Sequence, residues 1–256
     1  MKLTNKLSII CLMVLFMLPS NVLCKNKLYM VVVGVADYPG NNMDLNLPDN
    51  DAITISAIFK YNGKNTGNTE RSLLVNKRAT VASIIAAMKD LYAKASTDDI
   101  IALFFSGHGC EEGFCAYDRI LDFDTIKSTM SKFNCTTKII FADACFSGMI
   151  REKNEGQKIN INNIQNKFSK KGESVVLFMS SRSYEYSYES LNMKNGYFTN
   201  ALKYGLIGKA DINKDRKITA IELFNYVNKD VANKTGGKQH PTMWGNFNNN
   251  MPIIIW

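Results

Sequence analysis

Apolar residues in this chain gather into short runs separated by polar, turn-forming stretches. Residues 28–35, 99–105, 138–141 and 174–179 are nearly continuous apolar runs closed by Gly or Ser. Runs of about four to eight apolar residues bounded by turn signals predict buried strands rather than helices. Residues 71–74 and 251–256 read as further strands and 113–117 as a short one. Between them the period changes. Pro48-Asp49-Asn50-Asp51 opens a helix, with Asp or Asn as its cap and Ala52, Ile53, Ile55, Ile58 and Phe59 as its apolar face. Residues 61–70, rich in Asn and Gly, read as loop. Thr80 caps an amphipathic helix carrying Ile84, Ile85, Met88, Leu91 and Tyr92. Asp122 or Asp124 caps another over 123–133, and two more are expected over 196–206 and 220–232. Strands alternating with helices predict an α/β fold, a mostly parallel sheet with helices on both faces. No repeat or Pro-rich linker divides residues 25–256, so they read as one domain. Residues 151–173 break the pattern with Lys, Asn and Gln, and they read as a long exposed loop.

The first 24 residues read differently. Lys2 and Lys6 precede an apolar stretch over 7–18, the order of a secretory signal peptide. Export to the periplasm, cell surface or medium is the expectation. Cys24 would be the site of a lipid anchor, but Leu23 is bulky where a lipobox has a small residue. The net charge is +8, or +6 once Lys2 and Lys6 are removed. No dense basic stripe with interleaved aromatics accompanies it, which argues against a nucleic-acid partner. Of six cysteines, Cys110, Cys115, Cys135 and Cys145 remain after the signal. Cys110 and Cys115 could form a local disulfide or stay as two thiols. No Cys/His spacing matches a zinc site.

Two strands end in residues that carry chemistry. Ser106-Gly107-His108-Gly109 follows one, and Asp143-Ala144-Cys145-Phe146-Ser147-Gly148 completes the other. In an open parallel sheet, ligands bind beyond the carboxyl ends of the strands. A cysteine nucleophile attacks as its thiolate and needs a base nearby. His108 is one of only two histidines. Acyl transfer also needs backbone N–H donors for the oxyanion, and those of Gly109 and Cys145 are placed to supply them. His240, in Gln-His-Pro, reads as structural. Side chains alternate along a strand, so Asp143 lies on the same side as Cys145 and lines the pocket beside it. A buried acid there suits a basic side chain at P1, the residue before the scissile bond.

These motifs resemble the caspase/metacaspase superfamily of cysteine peptidases, and the Asp-Ala-Cys-Phe-Ser-Gly wording is closer to metacaspases than to animal caspases. Residues 34–38, Pro48-Asp49-Asn50-Asp51-Ala52, 181–189 and Gly196-Tyr197-Phe198-Thr199 extend the resemblance over nearly all of 28–256. It implies a three-layer sandwich around a six-stranded, mostly parallel sheet. It also implies endopeptidase activity from a Cys145/His108 dyad with no obligatory third member. Asp143 and Asp51, with Ser106 beside them, then bind Arg or Lys. The lysines of 151–173, with Arg151, make that loop a candidate for self-cleavage. Two other readings stand beside this one: a clostripain-like or gingipain-like peptidase, and a non-catalytic caspase-like scaffold.

Residues 211–222 follow an EF-hand pattern, with Asp211, Asn213, Asp215, the Lys217 carbonyl, Thr219 and Glu222 as ligands. Calcium is the cofactor they would take, although the dyad requires none. Arg216 departs from the pattern, standing where the turn normally has Gly.

Overall fold

The structure, a computed structural model, describes residues 27–40, 42–66, 69–145, 175–182, 184–245 and 247–255. The expected signal 1–24, with Cys24, lies outside the described residues, as does the expected loop 151–173. In chain order the elements are β1 (Leu28–Gly34), α1 (Pro48–Thr66), β2 (Thr69–Val75), α2 (Val81–Tyr92), β3 (Ile100–His108), β4 (Gly113–Cys115), β5 (Ile120–Asp122), α3 (Phe123–Met130) and β6 (Thr137–Cys145). There follow β7 (Val175–Met179), β8 (Glu189–Ser190), β9 (Asn195–Gly196), α4 (Tyr197–Tyr204), β10 (Lys217–Thr219), α5 (Ala220–Lys234), β11 (Thr242–Gly245) and β12 (Pro252–Ile255).

Six strands form the central sheet in the order β11-β7-β6-β3-β1-β2. All pairings are parallel except that of β11 with β7. Successive residues face opposite layers. Val31, Val33, Leu103 and Phe105 pack toward α2 and α3, whereas Met30, Val32, Phe104 and Phe141 pack toward α1, α4 and α5. A strand covered on both faces must be apolar at every position, which is why β1 and β3 read as unbroken runs. The chain runs from β1 out to β2, then crosses back over β1 to β3. The order reverses between β1 and β3, so a crevice opens at their carboxyl ends.

Local signals set several helix starts. Thr80 accepts from the Ser83 N–H and Asp122 from that of Thr125. Thr219 and Glu222 form a capping box on α5.

The structure corrects four expectations. Residues 61–66 continue α1, and β2 begins at Thr69. Extending a nucleated helix costs little, so an Asn/Gly-rich stretch can be carried as its last turns. Asp49, Asn50 and Asp51, expected to supply the cap, all lie inside the helix beyond Pro48, so none of them is the cap. Ile53 is exposed, off the packed face. Residues 251–256, expected as a last strand, do form one over Pro252–Ile255, but outside the main sheet, whose sixth strand is the unforeseen Thr242–Gly245. Residues Pro252–Ile255 pair instead with Lys217–Thr219 in a separate ladder, where Ile253 and Ile254 join the core beside Ile218. An edge strand such as β11 is only partly buried and so carries no apolar run.

Replacing Thr219 with Ala removes one arm of the capping box. We expect a loss of about 1 kcal/mol, read as a fall of roughly 2–4 °C in the thermal midpoint.

Candidate active site

The carboxyl ends of β3 and β6 lie side by side, with Ser106 opposite Asp143 and His108 opposite Cys145 in the ladder. The histidine and cysteine motifs, 37 positions apart in sequence, therefore occupy neighbouring backbone positions on adjacent strands. Gly107 takes φ 150°, and a Cβ on it would lie 2.8 Å from the Tyr38 hydroxyl. Only glycine makes that turn against that neighbour.

His108 is held from three directions. Its backbone N–H donates to the Tyr38 hydroxyl (3.0 Å), and the two rings sit 5.1 Å apart. Its Nε2 lies 2.8 Å from the Met43 carbonyl oxygen. A carbonyl can only accept, so Nε2 carries the proton and Nδ1 is the basic nitrogen of the neutral ring. Burial holds the Tyr38 phenol far above its usual range, so it remains a donor, and it gives its proton to the Cys115 carbonyl (3.0 Å). The Met43 contact adds a backbone partner to the expected dyad. Sequence reasoning missed it because every residue has a carbonyl and only the fold selects one.

After His108 the chain turns back. Cys110 and Gly113 exchange backbone hydrogen bonds of 2.9 and 3.3 Å, and Gly109 bridges to Phe114. Hydrogen-bonded and non-bonded pairs alternate in an antiparallel ladder, so the Gly109 N–H points away from Phe114. Cys110 and Cys115 are both buried and not bridged as a disulfide. The hydrogen bond from the Cys115 thiol holds Cys110 below the usual thiol range, and together with burial it raises Cys115.

Beside His108, a pocket of about 350 Å³ opens at the crevice. Asp51 and Asp143 form its floor, with 1% and 6% of their surface exposed. Asp51 accepts from Ser106 Oγ (2.9 Å), Asn195 Nδ2 (2.9 Å) and the Gly196 N–H (3.0 Å). Asp143 accepts from Ser187 Oγ (2.7 Å), Thr199 Oγ1 (2.6 Å) and the Thr199 N–H (3.1 Å). Gly196 separates the two. A Cβ there would lie 2.6 Å from Asp143 Oδ2 and 3.3 Å from Asp51 Oδ2, so any larger residue would fill the floor. Glu189 adds a third carboxylate at the wall, accepting from Asn46 Nδ2 and the Leu47 N–H at 3.3 Å. Sequence reasoning did not single out Glu189, although it ends the 181–189 segment that carried part of the resemblance. Tyr186, Tyr188 and Leu45 supply apolar wall, and no Lys or Arg is among the described residues lining the pocket.

Of the residues expected to act together, His108, Asp143, Asp51 and Ser106 meet at this pocket; Gly109 follows His108 in the chain, and Cys145 lies opposite His108 in the ladder. The 211–222 set lies apart from it. Asp211 accepts from the Asp215 and Arg216 N–H groups, and Glu222 turns back onto Thr219. Arg216 takes φ 64°, the conformation that Gly supplies in such loops. Among the described residues, no group of three or more His, Cys, Asp or Glu is gathered as a metal cage.

An α/β sheet that brings a histidine and a cysteine to neighbouring strand ends beside a pocket defines a cysteine-peptidase type of architecture. The caspase domain family profile matches residues 27–251, and the chain belongs to that family. No curated protein matches the sequence. Among solved structures it is similar to a Geobacter sulfurreducens protein known from its crystal structure, at 20% identity and a TM-score of 0.65, over 90% of this chain and 99% of that one. That likeness supports the fold.

Burial raises Asp51 first, and repulsion from Asp143 adds to it, against the pull of its donors; burial raises Asp143 likewise. A carboxyl raised in the folded state favours folding below its unfolded pKa, and that contribution is lost as pH rises through the folded value. Asp51→Asn should therefore raise the thermal midpoint at neutral pH. The gain should shrink toward zero near pH 4, which thermal melts across pH will show.

Proposed function

We propose that the chain is an exported, metacaspase-like cysteine endopeptidase that cleaves after Arg or Lys. The observation that carries this reading is a pocket with three carboxylates and no described Lys or Arg, next to His108 and the end of β6. Two buried carboxylates repel each other, and a guanidinium or ammonium entering between them relieves that repulsion while supplying further donors. Each accepts three hydrogen bonds among the described residues, and a carboxylate has about four acceptor sites. An acidic substrate side chain would add a fourth negative charge to the pocket.

In the mechanism, His108 Nδ1 takes the thiol proton of Cys145, and the thiolate attacks the carbonyl carbon. The Gly109 and Cys145 N–H groups receive the oxyanion. The imidazolium returns its proton to the leaving amine, and water then hydrolyses the thioester with the same ring as base. The Met43 carbonyl keeps the ring in the required tautomer through both steps. Residues 1–24 direct export, with Cys24 the candidate for acylation. The basic 151–173 segment is where such an enzyme would cut itself, and residues 211–222 are the candidate calcium loop.

The test is hydrolysis of fluorogenic peptides with Arg, Lys, Asp or Leu at P1 by residues 25–256, with and without calcium. We expect cleavage after Arg and Lys that is abolished by Cys145→Ala. Asp143→Asn should lower kcat/KM for these peptides by about 100-fold, the loss of roughly 2.7 kcal/mol of charge-assisted binding. Activity should also fall on acidification at a pH above the ordinary carboxylate range, because the pocket must be ionised to hold a cation. Preference for Asp or Leu would overturn the pocket assignment.

A further inference from the structure

Two consecutive residues outside the pocket grip the 185–188 segment that supplies part of its wall. After α5, Gly236 and Gly237 take φ 60° and 74° and turn the chain back. The Gln239 N–H then donates to Thr235 Oγ1 (3.2 Å), and the side chain is driven inward until it is 0% exposed. Its carboxamide spans the pocket wall. Nε2 donates to the Ser180 carbonyl (2.9 Å) and to Ser187 Oγ (3.2 Å), while Oε1 accepts from the Tyr188 N–H (3.0 Å). Next to it, the His240 N–H and Nδ1 reach the two Glu185 carboxylate oxygens at 2.7 and 2.8 Å. Burying an amide is costly unless it is satisfied, and an apolar residue of that size would fill the same space without the cost.

The contact with Ser187 gives the amide a purpose. A hydroxyl has one proton. The Gln239 NH₂ can only donate, so Ser187 Oγ accepts from it and turns its own proton to Asp143 Oδ1, 2.7 Å away. The relay runs Gln239 to Ser187 to Asp143. We infer that Gln239 is a positioning residue for the acidic pocket, aligning Asp143 through Ser187, and so sets affinity for a cationic side chain rather than the rate of bond cleavage. This rests on the reading of the pocket as a site for basic side chains. Ser187 is one of the donors that hold Asp143 down against burial, while Asp51, Glu189 and His108 face the same pocket.

The test uses benzamidine, an amidinium probe, titrated by calorimetry into Cys145→Ala protein with and without Gln239→Met, Ser187→Ala or both. Losing the Ser187 hydrogen bond to the Asp143 carboxylate predicts about tenfold weaker binding for Ser187→Ala, and Gln239→Met, which acts through that bond, should weaken binding by severalfold but by no more than this. Because both act through one partner, the double variant should be no weaker than Ser187→Ala alone. In the active enzyme, KM for an Arg peptide should rise by a similar factor with kcat changed less than about twofold. In Ser187→Ala the acid limb of kcat/KM should move to higher pH, because Asp143 has lost a donor. Unchanged benzamidine binding in either single variant, or additive losses in the double, overturns the inference. Should Gln239→Met fail to fold, Ser187→Ala alone decides, since the relay requires it to weaken the probe. If the parent protein binds no benzamidine and prefers an uncharged or acidic P1 residue, the pocket reading falls and this inference with it. If the parent binds the probe and cleaves after Arg while the variants match it, this inference alone falls.

Discussion

Two carboxylates buried a glycine's width apart are the constraint around which the rest of this site is built. Like charges in a poorly solvated interior repel strongly, and water cannot screen them there. Asp51 and Asp143 are tolerated because donors converge on them from separate parts of the chain: Ser106 at the end of β3, Asn195 and Gly196 in β9, Ser187 in the loop before β8, and Thr199 in α4. Each must arrive at hydrogen-bonding distance at once. The sheet order, the first turn of α1 and the return of the chain after α5 are all needed to bring them there. The pair is a cost to the fold and, in the proposed reading, a source of affinity for a cation, a common trade between stability and function.

The same few residues of β3 serve the pocket and the histidine. Ser106 faces Asp51, Gly107 turns the backbone against Tyr38, and His108 takes its orientation from the Tyr38 hydroxyl and the Met43 carbonyl. Tyr38 in turn is anchored on the Cys115 carbonyl in the following hairpin. The imidazole is thus fixed by backbone groups and a neutral phenol, and no carboxylate hydrogen-bonds to it among the described residues. The acids of this site are concentrated in the pocket, where a substrate side chain would meet them. In the proposed reading, recognition and proton transfer share one strand, at Ser106 and His108, with Gly107 alone between them.

Much of this was legible in the amino-acid sequence, because the interactions concerned are local. Strands buried on both faces must be apolar throughout, so the runs around 28–34, 100–105 and 138–141 announced the sheet. Thr80 and Asp122 capped the helices that follow them because a side-chain oxygen reaches an N–H three residues on. The histidine and cysteine motifs identified themselves by residue type at strand ends, and Asp143 followed from the alternation of a strand. Long-range pairing was decided only by the tertiary structure. An apolar strand does not specify its partner, so 252–255 joined a side ladder while the half-exposed Thr242–Gly245 completed the sheet. The Met43 carbonyl and the Gln239 carboxamide carry no signal of their own. A carbonyl is common to every residue, and a glutamine between Lys238 and His240 reads as surface until the turn after α5 buries it. Residue type determined which chemistry this chain could carry; the crossing of β3 over β1 determined which groups would meet to perform it.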